Sequence, residues 1–287
     1  MLRCIGHIPA TLGEVGAAQG LVSALRSSEE FLLAPLPNMF FARDSSLWIG
    51  DGLVLCPMNR LVRQRESDLL GLIKRRHPRF AGSKIWFDDP TPHVHASFEG
   101  GDILVLGPRS IAIGISERTT PAGAAALLNR LFEQDAIDRA IAVDLPKRRS
   151  TMHLDTVMTM VDRQRFVLYP GMRGIRTFKV TPGGVEGVLA EEAGRLREGL
   201  SWALDDGPVD MIEPDLDVVT AAREQWNDAM NTFAVAPGKV VAYERNVVTN
   251  RLLEEAGVEV TTVPSYELSR GRGGPRCMTC PIERAPL

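Results

Sequence analysis

The feature that most constrains this chain is a loose internal repeat: two β-like runs, a helix-like stretch and a further short β-like run recur every ~50–65 residues. The first unit opens at NMFFARDSSLWIGDGLVLCPM, where Gly50-Asp51-Gly52 supplies a turn between two apolar runs. It continues through RESDLLGLIKRRHP, with Leu69, Leu70, Leu72 and Ile73 gathered towards one face, and ends in KIWFDD. The second unit pairs ASFEGGDILVLG with SIAIGIS, then gives the helix PAGAAALLNRLFEQ and the strand AIAVDLP. Pro121 suits the first helical turn, where its missing N–H would be unpaired anyway. The third unit opens at HLDTVMTMVDRQRFVLYPG, with DRQ as its turn, and its helix is expected in EEAGRLREGLSWALDD. The fourth is built from TFAVAPGKVVAYERN, VVTNRLLEEAG and VEVTTVP, with Gly257 where a left-handed helix cap belongs.

Repeated strand–strand–helix–strand units favour a closed, cyclic α/β arrangement, with a plain α+β sandwich as the simpler alternative. In a ring, the polar ends of the first strands converge on one axis, which would bring Asp44, Glu99 and His153 from separate units to a common point. No Gly/Ser/Pro-rich linker divides the chain.

Composition narrows the function classes. At 287 residues with 44% hydrophobic and 24% charged residues, the chain can bury a full core. Its net charge of -3 gives no basic field for nucleic acid or an anionic membrane. No apolar run reaches the ~18–20 residues of a membrane span, and MLRCIGHIPATLGEVG has no basic n-region followed by an apolar h-region, so a secretory signal is not expected. Four cysteines, at 4, 56, 277 and 280, are too few for a disulfide framework, so a cytoplasmic protein with reduced thiols is expected.

Four segments are dense in functional residue types: PLPNMFFARD (35–44), EGGD (99–102), MHLDT (152–156) and SRGRGGPRCMTCPI (269–282). Cys277 follows an Arg/Gly-rich stretch, and nearby cations favour the nucleophilic thiolate over the thiol. A small buried structural cysteine is the simpler reading of a lone Cys. With Cys280 it also forms a C-x-x-C pair, but Pro281 follows where a redox motif should open a helix, and a zinc site lacks further paired cysteines. His153 and Asp155, two apart on an expected strand, would point to one face and could do acid–base work near neutral pH. EGGD offers Glu99 and Asp102 around glycines that let the backbone approach a ligand, although such a segment is also a common tight turn. A thiol, a histidine and several carboxylates suit a planar cation: carboxylates accept paired hydrogen bonds from a guanidinium, and a thiolate could attack its central carbon.

Taken together, PLPNMFFARD, FEGGDILVLG, GISERTT, MHLDTVMTMVD, ERNVVTN and GRGGPRCMTCPI resemble the arginine deiminases of the guanidino-group-modifying superfamily, in order from about residue 30 to residue 284. The resemblance implies a pseudo-symmetric ββαβ propeller, of which this chain would hold four of five units. Residues 1–28 would be the remnant of a helical insertion and 29–287 the catalytic domain. It implies Cys277 as nucleophile, His153 as general acid and then base, and Glu99 as the group orienting His153. Asp44 and Asp155 would hold the guanidinium in bidentate fashion. Arg63 and Arg118 match arginines that clamp the substrate α-carboxylate, although a solvated surface charge is the simpler reading of each. Asn38, Phe41, Asp102 and Arg272 are placed with the substrate contacts. The expected reaction turns L-arginine into citrulline and ammonia with no metal or organic cofactor, in a homodimer or larger assembly. Where the family carries histidine before its cysteine, this chain has Pro275-Arg276-Cys277. Two alternatives stay open: a related guanidino enzyme (amidinotransferase or arginine dihydrolase), and an inactive truncated homologue or arginine-binding pseudoenzyme.

Overall fold

The computed structural model describes residues 36–88, 96–185, 187–205 and 207–285. The expected remnant at 1–28, together with Cys4, lies outside the described residues.

Among the described residues the repeat is explicit. Strands β1 (Ser46–Ile49) and β2 (Gly52–Leu55) form an antiparallel hairpin, and β3 (Lys84–Phe87) joins β2 in parallel. The same pattern returns in β4 (Ile103–Gly107), β5 (Ser110–Ile115) and β6 (Arg139–Asp144), and in β7 (Met158–Asp162), β8 (Arg165–Leu168) and β11 (Asp210–Ile212). It returns once more in β12 (Phe233–Ala236), β13 (Lys239–Tyr243) and β14 (Glu259–Val263). A parallel return needs a crossover, and helices supply it. They are α2 (Leu61–Arg76), α3 (Pro121–Glu133), α4 (Leu196–Ala203) and α6 (Val247–Glu255). A single turn, α1 (Ala42–Ser45), precedes β1, and α5 (Val218–Trp226) precedes β12.

Apolar clusters bind neighbouring units to one another. Leu47, Ile49 and Val54 of the first unit pack with Phe98, Ile111 and Leu127 of the second. Leu104, Ile141 and Val143 meet Met158, Phe166 and Leu200 of the third, and Val161 and Val167 meet Met230, Val240 and Leu253 of the fourth. The segment after the fourth unit then returns to the first: Arg43 N–H donates to Cys277 O at 3.1 Å, and Arg284 Nη1 to Trp48 O at 2.9 Å.

Local chemistry explains most elements. Thr120 caps α3 by accepting from Gly123 N–H, Pro121 follows it, and Ala124, Leu127, Leu128 and Leu131 form the buried face. Gly257, at φ +82°, ends α6 as expected.

Two expectations are corrected. The residues of α2 that are fully buried are Arg63, Glu66, Ser67 and Gly71, while Leu69, Leu70 and Leu72 are half-buried and Ile73 is exposed. Ion pairing at its N-terminal end lets this helix bury a polar face. The helix expected from Glu191 begins only at Leu196, because Val188–Arg195 is the strand β10. It pairs with β9 (Arg176–Pro182), which adds the hairpin to β6 in a five-stranded sheet, β10-β9-β6-β5-β4. Its exposed Glu191 and Glu192 blunt that outer edge.

Candidate functional site

Each unit contributes the polar segment just before its first strand. Asp44 lies in α1, Glu99 directly before the 3₁₀ turn Gly100–Asp102, and His153 directly before the 3₁₀ turn Leu154–Thr156, which holds Asp155. His153 and Asp155 were expected on a strand; they sit at and within a tight turn, yet both reach the site. Close approach here requires glycine: a Cβ on Gly101 would lie 2.7 Å from His153 Nδ1 and 2.9 Å from Asp44 Oδ1.

His153 is the centre of one half of the site. Its Nε2 is 2.8 Å from Glu99 Oε2, and its Nδ1 faces Asp44 Oδ1 at 3.6 Å. Burial alone would lower its pKa, but Asp44, Glu99 and Asp102 outweigh that and push it up to about 10, so the ring is an imidazolium. Glu99 is held in turn by Asn59 N–H at 3.1 Å on its Oε1. The carboxylate and imidazole atoms of Asp44, Glu99 and His153 lie within 4.8 Å of one another.

The second half surrounds Cys277. Its backbone N–H donates to Asn231 Oδ1 at 3.1 Å, and its buried Sγ lies 3.8 Å from Asp155 Oδ2. Asn231 Nδ2 also donates to the Asp155 backbone carbonyl, so one amide ties the backbones of Cys277 and Asp155 together. Tyr243 Oη donates to Gly273 O at 2.8 Å, and the ring of Phe41 would meet a Cβ on Gly271 or Gly273 at 2.6 or 2.4 Å. The loop before the cysteine is thereby fixed.

The expected electropositive setting is not what the thiol meets. Burial pushes the Cys277 thiol well up, and Asp155, Asp44 and Asp228 add to it. The loop arginines point elsewhere: Arg270 pairs with exposed Glu267, Arg276 with Asp155, and Arg272 lies over the Trp226 ring at 3.7 Å. The thiol is therefore held in its protonated form. Cys280, by contrast, turns to the Ser46 backbone carbonyl at 3.4 Å.

The expected substrate contacts divide. Arg63, expected at a substrate carboxylate, is committed internally: Nη1 to Asp44 Oδ2 at 2.7 Å, Nε and Nη2 to Glu66, and Nη2 also to Asn38 O and Phe41 O. Asn38 accepts that bond and donates its own N–H to Glu66. Asp102 takes Ser116 Oγ and Thr119 Oγ1 on one oxygen and Leu154 N–H on the other, so it braces three segments instead of facing a ligand. Burial pushes it up to about 7, against the pull of His153 and of these bonds. Arg118 and Arg272 differ. Arg118 is buried with Nε receiving no acceptor among the described residues, and all three Arg272 guanidinium nitrogens are buried without one. Asp44 Oδ1 and Asp155 Oδ1 are likewise buried and unpartnered. Each carboxylate thus offers one oxygen, not the fork expected from the sequence.

Sequence reasoning missed Asn231 and Asp228. Asn231 stands just before β12, the same place in the fourth unit that Asp44 holds in the first, so the repeat itself carried the signal. Asp228 carried no such signal: it follows α5 at φ +62°, and burial pushes its carboxyl up to about 7.

Comparison with known proteins agrees with this geometry. A sequence model described as arginine deiminase matches residues 12–284. Proteins named arginine deiminase from Mycobacterium avium (strain 104) and Mycobacterium tuberculosis (strain ATCC 25618 / H37Rv) are 46% and 44% identical over 270 residues, covering 93% of this chain. The chain spans 65% of the length of these relatives. In fold it is similar to the N-terminal domain of ArgZ covalently bound to a reaction intermediate, with a TM-score of 0.61 at 18% identity, over 86% of this chain and 76% of that one. A dimethylarginine dimethylaminohydrolase adduct gives 0.56 at 19%, over 85% and 78%. The chain belongs to the arginine deiminase family.

Proposed function

We propose that this chain carries the catalytic centre for hydrolysis of L-arginine to L-citrulline and ammonia, on four ββαβ units arranged as a propeller about the site. The observation that carries the reading is the pair of buried carboxylate oxygens without a hydrogen bond, Asp44 Oδ1 and Asp155 Oδ1, the second on the carboxylate beside the Cys277 thiol. Buried acceptors without hydrogen bonds are costly unless a donor fills them, and a guanidinium brings several donors together with a further positive charge. The same charge lowers the cost of ionising the thiol.

As the cation binds, the Cys277 thiol gives up its proton to solvent; the thiolate attacks the guanidinium carbon, and His153, held protonated by Asp44 and Glu99, gives its proton to the departing nitrogen. Ammonia leaves, and a thiouronium-type intermediate links the substrate carbon to Sγ. The neutral imidazole then takes a proton from water, whose oxygen adds to that carbon, and the thiolate departs as citrulline forms. Support for a covalent step comes from the name of the ArgZ structure, which describes a reaction intermediate covalently bound to that protein. Arg118 and Arg272, with guanidinium nitrogens lacking acceptors, are the residues we assign to the substrate α-carboxylate. Arg63, Asn38 and Asp102 position the groups that react, and Phe41 supports the cysteine loop.

The test is incubation of the 287-residue chain with L-arginine, measuring citrulline and ammonia beside a Cys277→Ala control. Thiol-dependent citrulline supports the reading. Ornithine, or no product from folded protein, overturns it.

A further inference from the structure

Asp155 and Asp44 are built alike. Arg63 Nη1 takes Asp44 Oδ2 at 2.7 Å and leaves Oδ1 open; Arg276 Nη1 takes Asp155 Oδ2 at 2.6 Å and leaves its Oδ1 open. Arg63 is anchored from behind by Glu66. Arg276 is anchored by the backbone: its Nη2 donates to Ile103 O at 2.8 Å, and its N–H and its carbonyl are held by Asn231 O and by Arg43 Nε and Thr279 Oγ1. Its side chain is buried, although it directly precedes the nucleophile.

We infer that Arg276 is a positioning residue which, by holding Asp155 Oδ2, pairs the buried carboxylate and turns its free oxygen towards an incoming guanidinium. The inference rests on reading Asp155 as a guanidinium acceptor, as proposed above. Its physical content is twofold. A fully buried carboxylate at this place needs a counter-charge that does not depend on substrate, and Arg276 is the cation in direct contact with it. The other charged or titratable groups acting on or beside Asp155 are Arg43, Cys277 and Asp228, and of these the latter two are negative when ionised. A planar guanidinium that spends one nitrogen on Asp155 and another on Ile103 O also fixes the carboxylate's rotation, which a histidine in this place, expected from the family resemblance, could not do with the same reach. The recognition site is then a pair of single oxygens, one from each arginine-backed carboxylate, and a planar cation bridges them.

The prediction is specific. With Arg276→Met, Asp155 loses the cation in contact with it and the bond that fixes its rotation. With Arg276→Lys, charge and one bond return. The experiment is calorimetric binding of L-arginine to the Cys277→Ala chain, alone and combined with each Arg276 substitution, alongside citrulline formation in the Cys277 background. Loss of one member of a buried pair should weaken arginine binding about tenfold or more at pH 7 in Arg276→Met. Arg276→Lys recovers most of the binding, and KM changes more than kcat. Equal binding with and without Arg276 overturns the inference. So does a loss that is not rescued by lysine, which marks a packing role only. Arginine binding that depends on Arg276 without any citrulline sustains the inference and removes the deiminase reading; citrulline formation indifferent to Arg276→Met removes the inference alone. Absence of arginine binding by the Cys277→Ala chain removes both.

Discussion

Arg63 and Arg118 lie in the same site, both buried, and both were expected at the same substrate carboxylate. Arg63 binds two carboxylates and two backbone carbonyls. Among the described residues the Arg118 guanidinium meets Glu99 at 3.8 Å, Glu117 at 3.5 Å and the Met152 sulfur at 3.9 Å, and its Nε makes an ion pair with Glu117 but no hydrogen bond. The difference is a lesson about buried charge: a group whose bonds are complete holds the protein together, and a group whose bonds are open is the one we propose for a ligand. The same division separates Asp102, with both oxygens in use, from Asp44 and Asp155, each with one to spare.

Substitutions sharpen or break this comparison. The largest effect belongs to the nucleophile: Cys277→Ala should lower citrulline formation by about 10³-fold or more with an unchanged melting temperature. Next comes the proton donor, where Glu99→Gln should cost about 10²–10⁴-fold in kcat. Arg63→Ala should cost about 3–5 kcal/mol of stability, because it strands Asp44 and Glu66 in the interior. If urea unfolding shows Arg63→Ala as stable as the parent, its bonds do not have the structural weight given to them. Arg118→Ala and Arg272→Ala should instead raise KM for arginine roughly tenfold and leave the unfolding midpoint in place. Agmatine, without a carboxylate, should be indifferent to both changes, and a matching loss with agmatine would break the comparison.

A separate test lies in pH dependence. His153 is held up to about 10 in the fold against about 6.5 in an unfolded chain. It therefore stabilises the fold fully below pH ~6.5, and that contribution fades as pH rises through about 10. The stability gap between the parent and His153→Asn should narrow over this window. A gap that widens would contradict an imidazolium held by carboxylates.

Much of this was legible in the sequence because the repeat and the polar segments are local patterns. The turn at Gly50–Gly52, the α3 cap at Thr120-Pro121 and the Gly257 stop each follow from residues that have few other conformations. The hairpin β9–β10 was not legible, since EEAGRLREG reads equally as a helix until its edge pairing with β9 is known. Nor was the charge state of Cys277. Its neighbours in sequence are arginines, but in space it faces Asp155, and burial outweighs any proximity along the chain. Roles of the arginines depended on partners 19 and 121 residues away, Asp44 for Arg63 and Asp155 for Arg276.

The central claim is that a guanidinium seated between Asp44 and Asp155 is attacked by Cys277. The most direct measurement is mass spectrometry of the chain quenched in acid during reaction with L-arginine, followed by peptide mapping. The account predicts a substrate-derived adduct, formed with loss of ammonia, on the peptide that carries Cys277 and Cys280, absent in Cys277→Ala and retained in Cys280→Ser. Citrulline formation without an adduct under any quench, or an adduct that survives Cys277→Ala, would contradict it.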